Sequence, residues 1–309
     1  MTDAGGEIIK IGALDVGRVW LAPMAGYTDI AFRELCRECG AGLTVTEMVS
    51  VRGLVHGSAA TEKLMRTAKN ERPSCIQVFG SDPNDFARAA DMLDGDIIDV
   101  NMGCPMPKIV KNGDGAALLK SPKRAGEIVR ALKNSTDKPI TVKTRLGYAV
   151  GEDSAEELIA AVAEAGATAV TVHGRYAEQR YTGRADYEKA EKLARASRIP
   201  IILNGDIDED NIDGLLKPPF AAVAVGRAAL GNPEIFSRRR CDPFVMARRH
   251  VELLSTYFDE RYTVNQARKF FVHYFKGASG GKAIRAAVNA ASSVKEVLDI
   301  LELDKRMQY

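Results

Sequence analysis

The amino-acid sequence predicts an α/β protein: a (β/α)8 TIM barrel followed by a small all-helical C-terminal domain. Three observations carry this. Eight short, β-branched apolar runs recur between Arg18 and Arg227. Helical stretches separate most of them. Past Arg227 the strand-like runs stop and only helical spacing continues.

The runs are Arg18–Pro23 (RVWLAP), Gly42–Met48 (GLTVTEM), Ser74–Gly80 (SCIQVFG) and Ile97–Gly103 (IIDVNMG). Pro139–Arg145 (PITVKTR), Thr168–Gly174 (TAVTVHG), Pro200–Asp206 (PIILNGD) and Ala221–Arg227 (AAVAVGR) follow. A strand covered on both faces is continuously apolar, so these read as buried parallel strands. Between the first two, Thr28–Cys39 sets Ile30, Phe32, Leu35 and Cys36 near one helical face. Asn84–Leu93 is introduced by Ser81, Asp82 and Pro83, which suit a helix start. Pro122–Lys133, Ser154–Ala165 and Asp186–Ala196 continue the pattern. Eight strands joined mostly through helices point to a closed barrel with right-handed crossovers. A doubly wound open sheet would carry G-x-G-x-x-G after its first strand, whereas this first turn reads APMAGYTD. Met246–Phe258, Asn265–Lys276 and Ser293–Leu303 are helical by apolar spacing. A boundary near Pro243 divides a 1–243 barrel from a 244–309 helical domain.

Composition narrows the class. Apolar residues make up 46% and charged residues 27%, which excludes a disordered chain, a collagen-like chain and a coiled coil. The length suffices for a large core without staples. Five cysteines (Cys36, Cys39, Cys75, Cys104 and Cys241) are too few and too scattered for a disulfide framework. The opening MTDAGGEIIK lacks the basic start and apolar run of a signal peptide. No stretch approaches the ~18 apolar residues of a membrane span. A soluble, cytoplasmic protein is expected. Net charge is +2, yet residues 238–309 carry +6 and the rest −4. Two readings of that asymmetry stay open: a polyanionic partner for the basic end, or a solvated helical face.

In such a barrel the chemistry sits where strands end. Those ends hold Pro23, Met24 and Ala25; Glu47; Gln77; Asn101; Lys143 and Arg145; His173; Asn204, Gly205 and Asp206; Gly226 and Arg227. The loops after strands 7 and 8 are the usual phosphate site of this fold. Glycine lets backbone N–H groups approach a phosphate, and Arg227 can add a bidentate contact. Plain turn chemistry would also favour these residues. Lys143 and His173 together suit an anionic or carbonyl-rich ring, through charge, hydrogen bonding or proton transfer. The four histidines, His56, His173, His250 and His273, are scattered, so no metal site is expected. Cys36 and Cys39 could supply only half a zinc site, and core packing is expected of them. Cys104 differs, because Gly103 and Pro105 flank it on a loop just past the fourth strand. A thiol there can act as nucleophile or proton donor, or be inert.

These residues resemble the tRNA-dihydrouridine synthase family, flavin enzymes that reduce uridine in tRNA. The matching segments are LAPMAGYTDIAFR (21–33), TEM (46–48), IQVFG (76–80), DVNMGCPMPKIVKNGDGAALL (99–119) and VKTRLG (142–147). VHGR (172–175), ILNGDI (202–207) and VGRAALGNP (225–233) follow in family order, and RKFFVHYFKG (268–277) matches more loosely. The resemblance is closest to the bacterial branch with the nitrogen-regulation-type barrel. It implies FMN at the barrel mouth, with NADPH (or NADH) as electron donor. Pro23, Met24 and Ala25 would line the flavin ring, and Gln77 and Lys143 would hydrogen-bond it. His173 would lie beside the flavin or the base. Asn204, Gly205, Asp206, Gly226 and Arg227 would hold the phosphate. Cys104 would be catalytic, protonating C5 of a uracil that receives hydride at C6. Asn101, Arg145 and Tyr181 would orient that base. The uridine must be extruded from the tRNA stack to reach the mouth. The basic helical domain would then grip RNA, with Arg239, Arg248, Arg249, Arg268 and Lys269 as contacts. A monomer is expected. Tyr27 departs from the smaller residue usual after MAG, which leaves its effect on the pocket open. An FMN barrel acting on a small free pyrimidine or dihydroorotate-like molecule is the alternative, but it leaves the helical domain and its charge unused.

Overall fold

Side chains along the parallel strands alternate between two buried environments, and that alternation builds the molecule. The structure is a computed structural model describing residues 7–240 and 242–307, with side chains through residue 302. Cys241 and the first six residues of the opening segment lie outside the described residues.

The chain opens with an antiparallel hairpin, β1 (Ile8–Ile11) and β2 (Leu14–Gly17). Sequence periodicity missed it, because each strand is only four residues long and carries a charge, Lys10 or Asp15, inside it. The barrel strands follow: β3 (Val19–Leu21), β4 (Leu43–Thr44), β5 (Val49–Ser50), β6 (Cys75–Phe79) and β7 (Ile97–Asn101). β8 (Ile140–Arg145), β9 (Ala169–His173), β10 (Ile201–Asn204) and β11 (Ala222–Val225) complete them. All pair in parallel, in the order β4-β3-β11-β10-β9-β8-β7-β6-β5. β4 and β5 are two pieces of one segment, and Val45 bridges Cys75 between them. The two sheet ends therefore meet and the barrel closes.

That split corrects the expected strand Gly42–Met48. Thr46 Oγ1 accepts the Gln77 amide at 3.0 Å, so a side chain replaces a ladder carbonyl there. The regular pairing breaks and resumes at Val49.

Outward residues such as Ile76, Val78, Ile98, Val100, Val142, Val170, Leu203 and Val223 pack beneath the helices. Inward, Ile11 and Val16 of the hairpin bury with Trp20, Leu43, Cys75, Ile97 and Ile202, plugging the N-terminal end. The connections carry α1 (Ile30–Glu38), α2 (Val51–Val55), α3 (Ala59–Lys63), α4 (Pro83–Ala89), α5 (Pro107–Val110) and α6 (Pro122–Ser135). α7 (Ala155–Glu164), α8 (Tyr187–Ala196) and the four-residue α9 (Ile212–Leu215) follow. Asp29 caps α1 by accepting the Phe32 amide, and Cys36 and Cys39 are buried as expected.

Past the barrel come α10 (Pro243–Tyr257), α11 (Glu260–Tyr274), α12 (Gly281–Ala290) and α13 (Val294–Met307). Spacing alone missed α12, because the glycine-rich lead ASGG reads as loop; its Ile284 and Val288 are buried one turn apart. The apolar core runs on from the barrel helices into this region. Phe32 of α1 lies 4.9 Å from Phe270 of α11 between ring centroids. Among the described residues, no helix is long and apolar enough to cross a membrane.

Candidate active site

Above the apolar plug the barrel interior turns polar. The next inward positions are Gln77, Asp99, Thr141, Lys143 and Thr171, then Asn101, Arg145, His173 and Asn204. Strand register aligns them: Asn101 pairs with Lys143, and His173 pairs with both Arg145 and Asn204. Six of the expected site residues thus converge on one mouth.

A chain of hydrogen bonds climbs through this layer to the thiol. Asp99, buried at 4% exposure, accepts from Thr141 Oγ1 and from Gln77 Nε2, both at 2.7 Å. Burial raises its pKa above the usual carboxylate value despite those bonds. With its amide group turned to Asp99, Gln77 presents Oε1 to Asn101 Nδ2 at 2.9 Å. Asn101 Oδ1 is thereby left to accept the amides of Gly103 at 3.2 Å and Cys104 at 2.9 Å. Each amide can face only one way, and the acceptor at the foot sets the direction. Arg145 secures the same loop, donating from Nε to Gly103 O at 2.9 Å. A Cβ on Gly115, whose φ is 58°, would stand 2.8 Å from Cys104 O, so glycine lets the loop close over itself. Cys104 is half-buried and its thiol is free.

Lys143 donates to Asn204 Oδ1 at 3.0 Å, and Asn204 donates onward to Ala224 O at 2.7 Å. Burial, then the neighbouring Arg145, pulls Lys143 down to about 8, with Asp99 opposing. Burial and the cations Lys143, Arg145 and Arg175 hold His173 well below its ordinary value, hence neutral. Arg175 Nη1 lies 3.3 Å from His173 Nε2. A guanidinium only donates, so Nε2 is the accepting nitrogen. Arg175 is 1% exposed and donates from Nη2 to Asp206 Oδ2 at 2.6 Å. The other oxygen of Asp206 accepts from Arg227 Nη2 at 2.9 Å. Burial opposes ionisation of Asp206, but the Arg175 and Ala185 hydrogen bonds outweigh it and lower the pKa.

At the rim, the guanidinium carbons of Arg145 and Arg227 stand 5.7 and 5.6 Å from the Tyr181 ring centroid. Tyr181 itself is exposed. Pro23, Met24 and Ala25 follow β3, where Met24 O accepts the amides of Tyr27 and Thr28. A Cβ on Gly226 would lie 3.7 Å from Met24 Sδ, and one on Gly205 would collide with His173 at 2.4 Å. Tyr27 faces α11, edge-on to Phe270 at 5.6 Å, which answers the question its size raised.

Four of the five basic residues expected to contact RNA have partners within the protein. Arg248 pairs with Glu252 and Glu302, and Arg249 with Glu38. Arg268 donates to Ala291 O, and Lys269 to Gly26 O. Arg239 is exposed. Asp99 and Arg175 were missed as site residues. A signal existed for Asp99, the single charge inside the apolar run IIDVN. Arg175 stood in a quoted motif but two residues beyond the end of β9.

The dihydrouridine synthase (Dus) family model matches residues 20–308. The chain belongs to the dihydrouridine synthase family. It is 37% identical to a probable tRNA-dihydrouridine synthase of Treponema pallidum (strain Nichols), covering 92% of each chain. It is 33% identical to tRNA-dihydrouridine synthase B of Pseudomonas aeruginosa, covering 92% of this chain and 91% of that one. Among solved structures, a variant of NCR from Zymomonas mobilis aligns with TM-score 0.58 at 14% identity, over 82% of this chain and 94% of that one. A morphinone reductase mutant in complex with tetrahydroNAD gives TM-score 0.56 at 13% identity, over 75% and 88%. At those identities the likeness is one of fold, and it agrees with the closed barrel. As a member of the dihydrouridine synthase family, the chain is an oxidoreductase, and its mouth is the candidate active site.

Proposed function

We propose that this dihydrouridine synthase family member reduces a uridine of tRNA, with FMN as cofactor and NADPH (or NADH) as electron donor. The observation that carries the reading is the Cys104 loop, fixed by Asn101 at a mouth lined with buried donors.

The residues present suit FMN. The Lys143 ammonium has three donors and, among the described residues, one hydrogen-bond partner, Asn204. Its remaining donors suit ring carbonyls, as would Gln77. Met24 beside Gly226 offers an apolar wall and an open backbone approach, with Pro23 and Ala25 completing it. Arg227 is oriented by Asp206, so the phosphate would meet the guanidinium and the backbone of Asn204, Gly205, Asp206 and Gly226. In this arrangement the Asp206 carboxylate aims Arg227 and does not itself meet the phosphate. Bound there, reduced FMN would supply the hydride for C6 of the uracil.

Cys104 donates the proton to C5, so hydride and proton together saturate the C5–C6 bond. Asn101 holds the thiol's backbone. Arg145 holds the same loop and, with Tyr181, borders the space in which an extruded base would be oriented. Neutral His173 offers a hydrogen bond without adding a further cation to the mouth. Residues 244–309 are read as the RNA-binding domain of a cytoplasmic, monomeric enzyme.

The test is anaerobic. The protein is reduced with NADPH, then mixed with unmodified tRNA transcript, free uracil or orotate. Reoxidation by tRNA with dihydrouridine in the product is expected. Reoxidation by a small molecule alone would overturn the reading.

A further inference from the structure

The Gly26 peptide is held from both sides. Its N–H donates to Glu47 Oε2, from the break between β4 and β5, and its carbonyl accepts from Lys269 Nζ of α11. Gly26 has φ of 79°, a conformation that favours glycine, and with no Cβ the residue has little else to fix it. The ammonium also stands 4.4 Å from the Tyr27 ring centroid and 5.4 Å from that of Phe270. Tyr27 packs edge-on against His273, one turn further along α11, at 5.8 Å. The same helix backs the opposite rim. A Cβ on Gly231, in the segment after β11, would stand 2.5 Å from His273 O. One helix thus supports the loop after the first barrel strand and the segment after the last, the two that bring Met24 beside Gly226.

Lys269 is poorly disposed to meet RNA. It is half-buried, and its charge already faces Asp29 and Glu47. A phosphate reaching it would have to displace the Gly26 carbonyl and approach both carboxylates.

We infer that Lys269 is a positioning residue: with Glu47 it clamps Gly26 and so fixes Pro23, Met24 and Ala25 from the C-terminal helical region. The inference rests on the proposed function, in which those three residues line the cofactor. It gives the helical region a part in the reaction independent of RNA contact.

Lys269→Met keeps the aliphatic stem against Tyr27 and removes the donor. In flavin-free protein, amide hydrogen exchange of residues 23–28 should rise roughly tenfold in this variant. Exchange elsewhere in the barrel should stay at the wild-type level. Glu47→Ala should do the same, and Glu47→Gln, which keeps an acceptor, should restore protection. With flavin bound, the visible spectrum should shift and kcat should fall more than KM rises. The tRNA affinity and its salt dependence should stay unchanged. Unaltered exchange in residues 23–28 of both Lys269→Met and Glu47→Ala overturns the clamp. A salt slope lowered by about 0.7 to 0.9 with that exchange unaltered would make Lys269 a phosphate contact instead. Should wild-type protein reduce no tRNA, the functional reading falls, while the exchange measurement still decides the clamp.

Discussion

Asn101 Oδ1 accepts the Cys104 amide at 2.9 Å, and Asn101 can do so only because Gln77 has taken its NH2 group. The thiol's position therefore depends on a buried carboxylate, Asp99, two hydrogen-bonded side chains away. Asn101→Ala removes the acceptor for two loop amides at once. It should leave flavin bound but lower uridine reduction by about 10²-fold, the scale of a small misplacement of a reacting group. Stopped-flow reoxidation by tRNA measures this, and an unchanged rate would detach Asn101 from the thiol.

Cys104→Ala tests the chemistry itself. The variant should remain yellow and still accept electrons from NADPH. Turnover on tRNA should drop roughly 10²- to 10⁴-fold, the usual cost of losing a general acid. Full turnover would assign the proton to another donor.

Lys143 gives a pH prediction with a definite sign. Its folded value of about 8 lies below the ordinary lysine value. In the flavin-free site Lys143 is therefore cationic below about pH 8 and neutral above it, while the arginines keep their charge. FMN affinity, measured by fluorescence quenching, should weaken as pH rises through about 8, and Lys143→Met should flatten that dependence. Stability moves the other way. The unfolded lysine keeps its proton to about pH 10.4, so unfolding binds a proton between these values and flavin-free protein gains stability as pH rises through the window. A wild-type FMN titration parallel to that of Lys143→Met would remove the lysine from the cofactor site.

Arg227→Ala should weaken FMN binding roughly 10- to 100-fold, as expected for a lost hydrogen bond between charged groups. Equilibrium dialysis of flavin against the variant measures it, and an unaltered affinity would place the phosphate elsewhere.

The legible parts of the molecule were those where burial dictates residue type. The strands at Ile97–Asn101 and Ala169–His173 are apolar apart from the inward Asp99 and Thr171 until their final residues, so their ends advertised the mouth. The split at Thr46 was illegible, because a threonine that captures a backbone amide has the same sequence as one that fills a strand. Partnering of charges was equally hidden. Arg249 and Arg239 look alike in a basic segment, yet Glu38, 211 positions away, holds only the former.

That difference yields the last prediction. Cations already paired within the protein have less to offer a phosphate than exposed ones without an acid partner. Arg239 is exposed, as are Lys108 and Lys111 after β7 and Arg180 and Arg184 after β9. Lys108 on α5 and Lys111 just after it follow Cys104, and Arg180 and Arg184 flank Tyr181, all in the connections at the barrel mouth. In a plot of log affinity for tRNA against log salt, Arg239→Ala or Lys108→Ala should lower the slope by about 0.7 to 0.9. Arg249→Ala should leave the slope unchanged and destabilise the fold by at most about 1 kcal/mol, the scale of an exposed ion pair. Equal slope changes for Arg249 and Arg239 would mean that the Glu38 pair opens when RNA binds. The paired arginines of the C-terminal helical region would then contact the RNA as directly as the exposed cations.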